Sequence, residues 1–380
     1  MKANARILFL TFIFTVGCKD HFNPDLSFKD THFLVVEGYI NAGTDAVTVI
    51  RLSRTVSLKE PNAEPPMEQG ASVSIEDDNG NSYSLTETKA GIYVSDTLIL
   101  PLDRQYRIHI SSNEKEYISA FTVPIQTPEI DSVSWKWEGD QGVNIRVATH
   151  DPNKKTLFYQ WDYEEIWELR SAYRSAYDYK NGSFILREEE EIQQMRICWR
   201  RSTPSDLLME STAKFDEDAI SMKVVNIPVF SPKLGENYSL LVTQHALSVD
   251  AFGYLQIMAK NTNSLGTFYD PQPSQLIGNI EVPGSEEPVI GYIGAYTTSQ
   301  QRIYIRNSEL PNWGFDRYCE EIFTSLDEPE MIAIIFGTNG LTPTIINEFN
   351  AMGATRPDCA DCRLRGGDNN QPPFWEEVFW

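Results

Sequence analysis

Short segments in which apolar and polar residues alternate recur along most of this chain, and no other feature restricts its fold as much. Phe33–Ile40 and Val47–Leu52 are β-branched runs split by Asn41-Ala-Gly43; Ser72–Ile75 and Tyr83–Leu85 flank Asp77-Asp-Asn-Gly80; Gly91–Val94, Gln105–Ile110 and Tyr117–Val123 follow. A period of two places successive side chains on opposite faces of a sheet. About seven such strands at spacings of roughly ten residues are the pattern of a β-sandwich. The chain is therefore expected to be mainly β, opening with an immunoglobulin-like β-sandwich over 30–125, with Pro124 to Pro128 as a linker.

The pattern resumes at Ile130. Asp131–Trp137, Gly142–Val147 and Phe158–Tyr163 alternate, the last running on toward Trp167; Ile220–Val229, Tyr238–Val242, Gly278–Val282, Val289–Tyr296 and Arg302–Ile305 continue it. This predicts a second, fibronectin-type-III-like β-rich domain over 126–309. It is interrupted at about 171–191 by a segment that reads as an exposed insertion. Within the same domain Ser248 can cap a helix from Val249 to about Asn261, with Asp250 at its positive end and Leu247 and Phe252 placed as a hydrophobic staple. Phe252, Leu255, Met258 and Ala259 would form its apolar stripe. Residues 310–380 read as irregular, with a helix near Thr344 to Phe349 and an aromatic end, Pro372-Pro-Phe-Trp-Glu-Glu-Val-Phe-Trp380.

The first residues have a different character. Lys2 and Arg6 precede the apolar run Ile7–Val16, and Gly17-Cys18 follows at once. The run is too short for the ~20 helical residues that cross a bilayer, so 1–17 reads as a signal peptide. A small residue directly before a Cys at the end of the run resembles a lipoprotein processing site. Cys18 is then the lipidation position, anchoring the chain to a membrane, and 18–29 is a polar tether. Charge argues against a nucleic-acid partner. Lys plus Arg total 32 against 54 Asp plus Glu, a formal charge of −22 with no basic patch to meet phosphate.

Apart from Cys18 the cysteines are Cys198, Cys319, Cys359 and Cys362. An even number in an exported chain reads as disulfides, whose pairings sequence leaves open, with Cys198 joined to a member of the C-terminal set as the preferred arrangement. A zinc site would want a second Cys-x-x-Cys knuckle, and a redox motif would want a surrounding βαβ unit, so neither a metal nor a cofactor is expected. No G-x-S-x-G, H-E-x-x-H, phosphate loop or G-x-G-x-x-G occurs. Asp77-Asp-Asn-Gly-Asn-Ser82 places its Gly wrongly for a calcium loop and reads as a hairpin turn. His21, His32, His109, His150 and His245 are scattered, and His109 lies mid-strand as a packed or cross-strand residue; Glu188 to Glu191 reads as a solvated charge run. Among the aromatics, Trp161, Tyr163 and Trp167 alternate as core. Tyr173, Tyr177 and Tyr179, in the insertion, are the binding candidates, because exposed rings offer much contact area for little lost rotamer entropy.

Several separated blocks carry a family resemblance. Val35-Val-Glu-Gly-Tyr-Ile40, Gly91-Ile-Tyr93, Cys198-Trp199, Tyr238-x-Leu-x-Val242-x-Gln244 and the Ser248 helix with Tyr254 come first. Phe268-Tyr-Asp-Pro-Gln-Pro-Ser274, Gly278-Asn-Ile280, Val289-x-Gly-Tyr292, Cys359-Ala-Asp-Cys362-Arg, Gly366-Gly and Pro372-Pro-Phe-Trp375 follow. In this order they resemble the Bacteroidota family called domain of unknown function 4249. The resemblance implies an outer-membrane lipoprotein encoded beside a TonB-dependent receptor, and it brings no catalytic residues. A Lys19-Asp20 pair after the lipidated Cys resembles part of a surface-export signal, so either face of the membrane remains open. The expected role is a non-catalytic accessory or ligand-capture subunit of a TonB-dependent transport system, with an unidentified small or oligomeric ligand. The alternative is a self-standing envelope hydrolase with an unassigned active site.

Overall fold

A computed structural model of the chain describes residues 32–56, 63–215, 218–263, 276–311, 313 and 318–379. Residues 1–17, read from sequence as a signal peptide, Cys18, residues 19–29, read as a tether, and the Phe268–Ser274 block lie outside the described residues. The molecule is mainly β, as its alternating pattern requires.

The first body is one long sheet rolled around its own core. Its strands run in the order Ile280–Glu281, Lys115–Ser119, Tyr106–Ser112, Ser72–Asp77, Ser82–Lys89, Ile92–Ser95, Val49–Arg54, Leu34–Asn41, Ala295–Tyr296. Alternation explains each of them. Leu34, Ile50, Ile75, Ile108 and Tyr117 point into one apolar cluster, while Arg51, Glu76 and His109 point out. Strands far apart in that order close on each other: Arg54 is bidentate to Glu68 at 2.7 Å through each bond and also donates to the Tyr117 hydroxyl at 3.3 Å. A half-barrel thus replaces two separate stacked sheets.

Its edges correct the expected boundaries. Ile280–Glu281 pairs antiparallel with Lys115–Ser119, and Ala295–Tyr296 pairs parallel with Leu34–Asn41, so residues assigned by sequence to 126–309 complete the first body. An open edge strand presents unpaired N–H and C=O groups, and these late strands satisfy them. Pro124 to Pro128 is correspondingly a bonded connector rather than a free linker. Ile125 N–H donates to Ala295 O at 3.0 Å, and Thr297 N–H donates back to Ile125 O at 3.0 Å.

The second body is a sandwich. Ile130–Trp137, Val143–His150 and Ala219–Ile227 form one antiparallel sheet; Ile197–Ser202, Phe158–Arg170, Asn237–Ala246 and Thr298–Arg306 form the other, with Leu208–Ser211 also pairing onto Phe158–Arg170. In chain order this is strands one, two and five against four, three, six and seven, the crossing connectivity of fibronectin-type-III-like domains. Trp161, Tyr163 and Trp167 face the shared core as expected. The Trp161 indole donates to Gln244 Oε1 at 2.8 Å, and the Gln244 amide donates on to Pro128 O and Thr149 Oγ1, so a polar chain stitches the two sheets together.

Residues beyond 310 depart from the irregular reading. Glu321–Ser325, Thr342–Ile346 and Ala351–Thr355 form a three-stranded sheet, and Pro329–Ile332 is a short helix that widens into a π turn over Ala333–Thr338. The helix expected near Thr344 to Phe349 is absent, and a strand stands there instead. Thr342, Thr344, Ile345 and Ile346 are β-branched and favour extended backbone, and Asn347 Oδ1 then turns the chain by accepting from Phe349 and Ala351 N–H at 3.0 Å each. Two disulfides, Cys198–Cys362 and Cys319–Cys359, tie this lobe together and pin it to the sandwich. The aromatic end forms the helix Trp375–Phe379, whose Trp375 is buried against Ile166 and Trp199 on the outer face of the second sheet.

Candidate binding site at the helix junction

The tyrosine insertion, expected from sequence to lie exposed on the surface, packs against the C-terminal lobe. Tyr177–Lys180 and Ser183–Leu186 make a hairpin, and Tyr177, Tyr179 and Phe184 pack on Ile335, Phe336 and Met352 of the C-terminal lobe. Tyr179 lies 5.2 Å from the Phe184 ring and 5.6 Å from Phe336 between centroids. Tyr173 donates its backbone N–H to Cys359 O and its hydroxyl to Cys319 O, both at 3.1 Å. All three rings are half-buried and hold the lobe to the sandwich. The Glu188 to Glu191 run lies at the start of the helix Glu189–Arg196, where acids meet unpaired N–H groups and the positive end of the helix dipole.

The remaining sequence candidates also resolve into structure. Asp77 Oδ1 accepts from Asn79 and Asn81 N–H at 3.0 and 2.8 Å, the hairpin turn expected. His109 bridges Glu76 and Glu116 across strands at 2.8 and 2.6 Å. Burial works against its charged form, yet the two carboxylates outweigh that and raise its pKa. Glu165 is fully buried on the core face of its strand, where the Tyr238 hydroxyl at 2.7 Å and Lys233 at 2.5 Å satisfy it. Among the described residues no cluster of His, Cys, Asp and Glu could hold a metal.

Two concavities flank one element, the helix Val249–Asn263. Ser248 Oγ accepts from Ala251 N–H at 3.1 Å, and Leu247 and Ala251 anchor the first turn against Tyr39, Phe158 and Tyr296. On one side lies an open cleft of about 820 Å³, between the helix start, residues 120–125 and residues 277–279. Its walls carry Val249, Ile277 and Val123, exposed to 64%, 74% and 56%, together with Phe121 and Ile257. On the other side a more enclosed cavity of about 400 Å³ lies between the helix, the strand Leu34–Asn41 and the strand Phe158–Arg170.

The enclosed cavity is aromatic and acidic. Tyr39 stacks on Tyr296 with centroids 4.5 Å apart and planes at 24°, Tyr254 tilts against Tyr292 at 5.7 Å, and Glu37 and Asp162 stand in the same walls. Burial and then the Asp162 charge push the Tyr39 phenol up to about 12. Burial likewise raises Tyr254 to about 12, with Glu37 adding to it. Behind Tyr39 and Tyr296 sits His245, 1% exposed, its Nε2 2.8 Å from Asp162 Oδ2 and its Nδ1 buried without a partner. A lone pair tolerates that position better than an N–H, which places the ring proton on Nε2, donating to Asp162. This arrangement reverses the geometry of a catalytic pair, because the carboxylate faces solvent while the imidazole is shut in behind two rings.

Several of the blocks that carry the family resemblance converge here. Val35–Ile40, Tyr254, Gly278 and Val289–Tyr292 come from distant parts of the chain and line or support the two concavities. A Cβ on Gly278 would lie 1.8 Å from Gly291 O, and one on Gly291 2.3 Å from Val36 O, so these backbones meet only because neither residue has a side chain. Asn279 copies a strand partner, its amide donating to Ile293 O and its Oδ1 accepting from Ile293 N–H, both at 2.8 Å. The blocks build the junction. Along the sequence nothing marks these blocks as neighbours except their small residues flanking aromatics. A family model described as "Domain of unknown function (DUF4249)" matches residues 19–302. No curated protein matches the chain.

Proposed function

Because this chain belongs to the DUF4249 family, we propose that it is a lipid-anchored outer-membrane protein acting as a non-catalytic accessory or ligand-capture subunit of a TonB-dependent transport system. The observation that carries the reading is the open cleft beside the helix start. Five large apolar side chains stand exposed around it on a chain of charge −22. Contiguous exposed apolar surface marks interaction sites, and a chain with this excess of acid has little reason to gather it except for contact. The basic and apolar leader ending at Gly17-Cys18 supports anchoring beside such a receptor.

The test is recovery of a partner from detergent-solubilised outer membranes through a C-terminal tag. A TonB-dependent receptor should copurify with the wild-type chain. The Val249→Glu/Ile277→Glu double variant should reduce recovery about tenfold, a loss of ~1.4 kcal/mol, with an unchanged melting temperature. No receptor with the wild type, or undiminished recovery with the variant, overturns the reading.

A further inference from the structure

We propose that the enclosed cavity between the strand Leu34–Asn41, the strand Phe158–Arg170 and the helix Val249–Asn263 binds an organic ammonium ion attached to a small apolar body. The proposal deepens the ligand-capture reading and rests on it, at the cavity that shares only Tyr254 and Tyr292 with the cleft assigned to the receptor.

Two features of the walls, and the charge of the whole chain, select a cation. Tyr39, Tyr254, Tyr292 and Tyr296 supply aromatic rings, whose negative π faces attract ammonium groups most strongly where water is excluded. Glu37 and Asp162 stand among them, and no Lys or Arg occurs among the described residues lining the cavity. The long-range field has the same sign, since a charge of −22 concentrates cations near the surface. The opposite wall, with Leu247, Leu255 and Met258, suits an apolar body, and a cavity of about 400 Å³ is large enough for a small ligand.

The two carboxylates remain available to a ligand. Asp162 gives Oδ2 to His245 at 2.8 Å, and among the described residues its other oxygen has a single long contact of 3.4 Å from the Gln160 amide. Glu37 meets Arg51 at 3.6 Å, but both side chains are more than half exposed, and such surface pairs contribute little. An uncharged ligand would meet only the rings, whereas an ammonium group meets both the rings and the acids. The cavity walls are also preset: the Tyr39 and Tyr296 rings are stacked with His245 behind them, so little ordering is left for binding.

The experiment titrates the purified chain with choline and separately with neohexanol, in which a tert-butyl group replaces the trimethylammonium head, and follows both by NMR. Choline should bind about tenfold or more tightly than neohexanol, the preference expected of a partly desolvated cation among aromatic rings. Glu37→Gln, at the exposed rim, and Asp162→Asn, which keeps an acceptor for His245, should each reduce that preference severalfold with neohexanol affinity unchanged. Equal affinity for the two probes, no choline binding to the wild type at millimolar concentration, or an undiminished preference in Glu37→Gln would each overturn the assignment. Receptor copurification from solubilised outer membranes is measured in parallel with the same tagged chain. If it persists while choline fails, the cation site is wrong and the accessory role stands; if the receptor is lost while choline binds, the reverse holds.

Discussion

Tyr179 carries a consequence at the scale of a single residue. Its spacing from Tyr173 and Tyr177 fits neither a strand face nor a helix face throughout, and beside an acidic run it reads as surface. Its partners are Phe184, close in sequence, and Phe336, more than a hundred and fifty positions away. Tyr179→Ala should therefore destabilise the C-terminal lobe by about 1–3 kcal/mol, the range for emptying a packed site, and leave receptor recovery intact. Denaturant melts followed by Tyr and Trp fluorescence measure the first, and the tagged pull-down the second. A variant as stable as the wild type with lost binding would restore the reading of Tyr179 as a surface binding residue. Tyr173 behaves likewise, since its hydroxyl donates to Cys319 O.

At the scale of elements, the disulfides decide how the C-terminal lobe stays attached. Cys319–Cys359 spans 40 residues inside the lobe, and Cys198–Cys362 spans 164, joining the lobe to the strand Ile197–Ser202. The Cys198→Ser/Cys362→Ser double variant should cost about 2–4 kcal/mol and loosen the cover that Trp375 places over Ile166 and Trp199. Faster hydrogen exchange in Phe158–Arg170 and Ile197–Ser202 would register this, and unchanged exchange would show that the aromatic contacts hold the lobe without the bond. Such elements were readable in sequence to different degrees. Strands alternating in and out were legible because period two is written locally, as in Tyr106–Ser112, and so was the Ser248 helix, whose cap and staple lie within a few residues. The strand Thr342–Ile346 is hard to recognise in sequence because its neighbours are turns rather than alternating strands, and its pairing with Ala351–Thr355 depends on a bulge. The candidate site was least legible, because its walls come from residues near 36, 162, 254 and 291, which only the fold brings together.

At the scale of the whole molecule, the first body depends on the last part of the second. The half-barrel borrows Ile280–Glu281 and Ala295–Tyr296 as its two edge strands, and Ile280, Val282, Val289, Ile293 and Ala295 complete its apolar cluster. Between these strands and the rest of that sheet the chain runs through most of the sandwich and the helix, so closing the core requires contacts far apart in sequence, which form slowly. A fragment of residues 32–128 would leave both sheet edges unpaired and the inner ends of Leu34 and Ile40 uncovered, conditions that favour aggregation or loose collapse over a unique fold. This fragment, expressed alone, should therefore show no cooperative thermal transition by circular dichroism and should bind a hydrophobic dye. Adding a peptide of residues 276–297 should restore strand content and a transition, because it brings both edge strands and the Asn279–Ile293 clasp that spaces them. If the fragment alone melts cooperatively at the temperature of the intact chain, the late strands decorate a sheet that is already complete. If instead only the peptide restores the transition, the helix and both concavities beside it are held in place by the same strands that complete the core, and the geometry of the binding site is fixed by the stability of the first body.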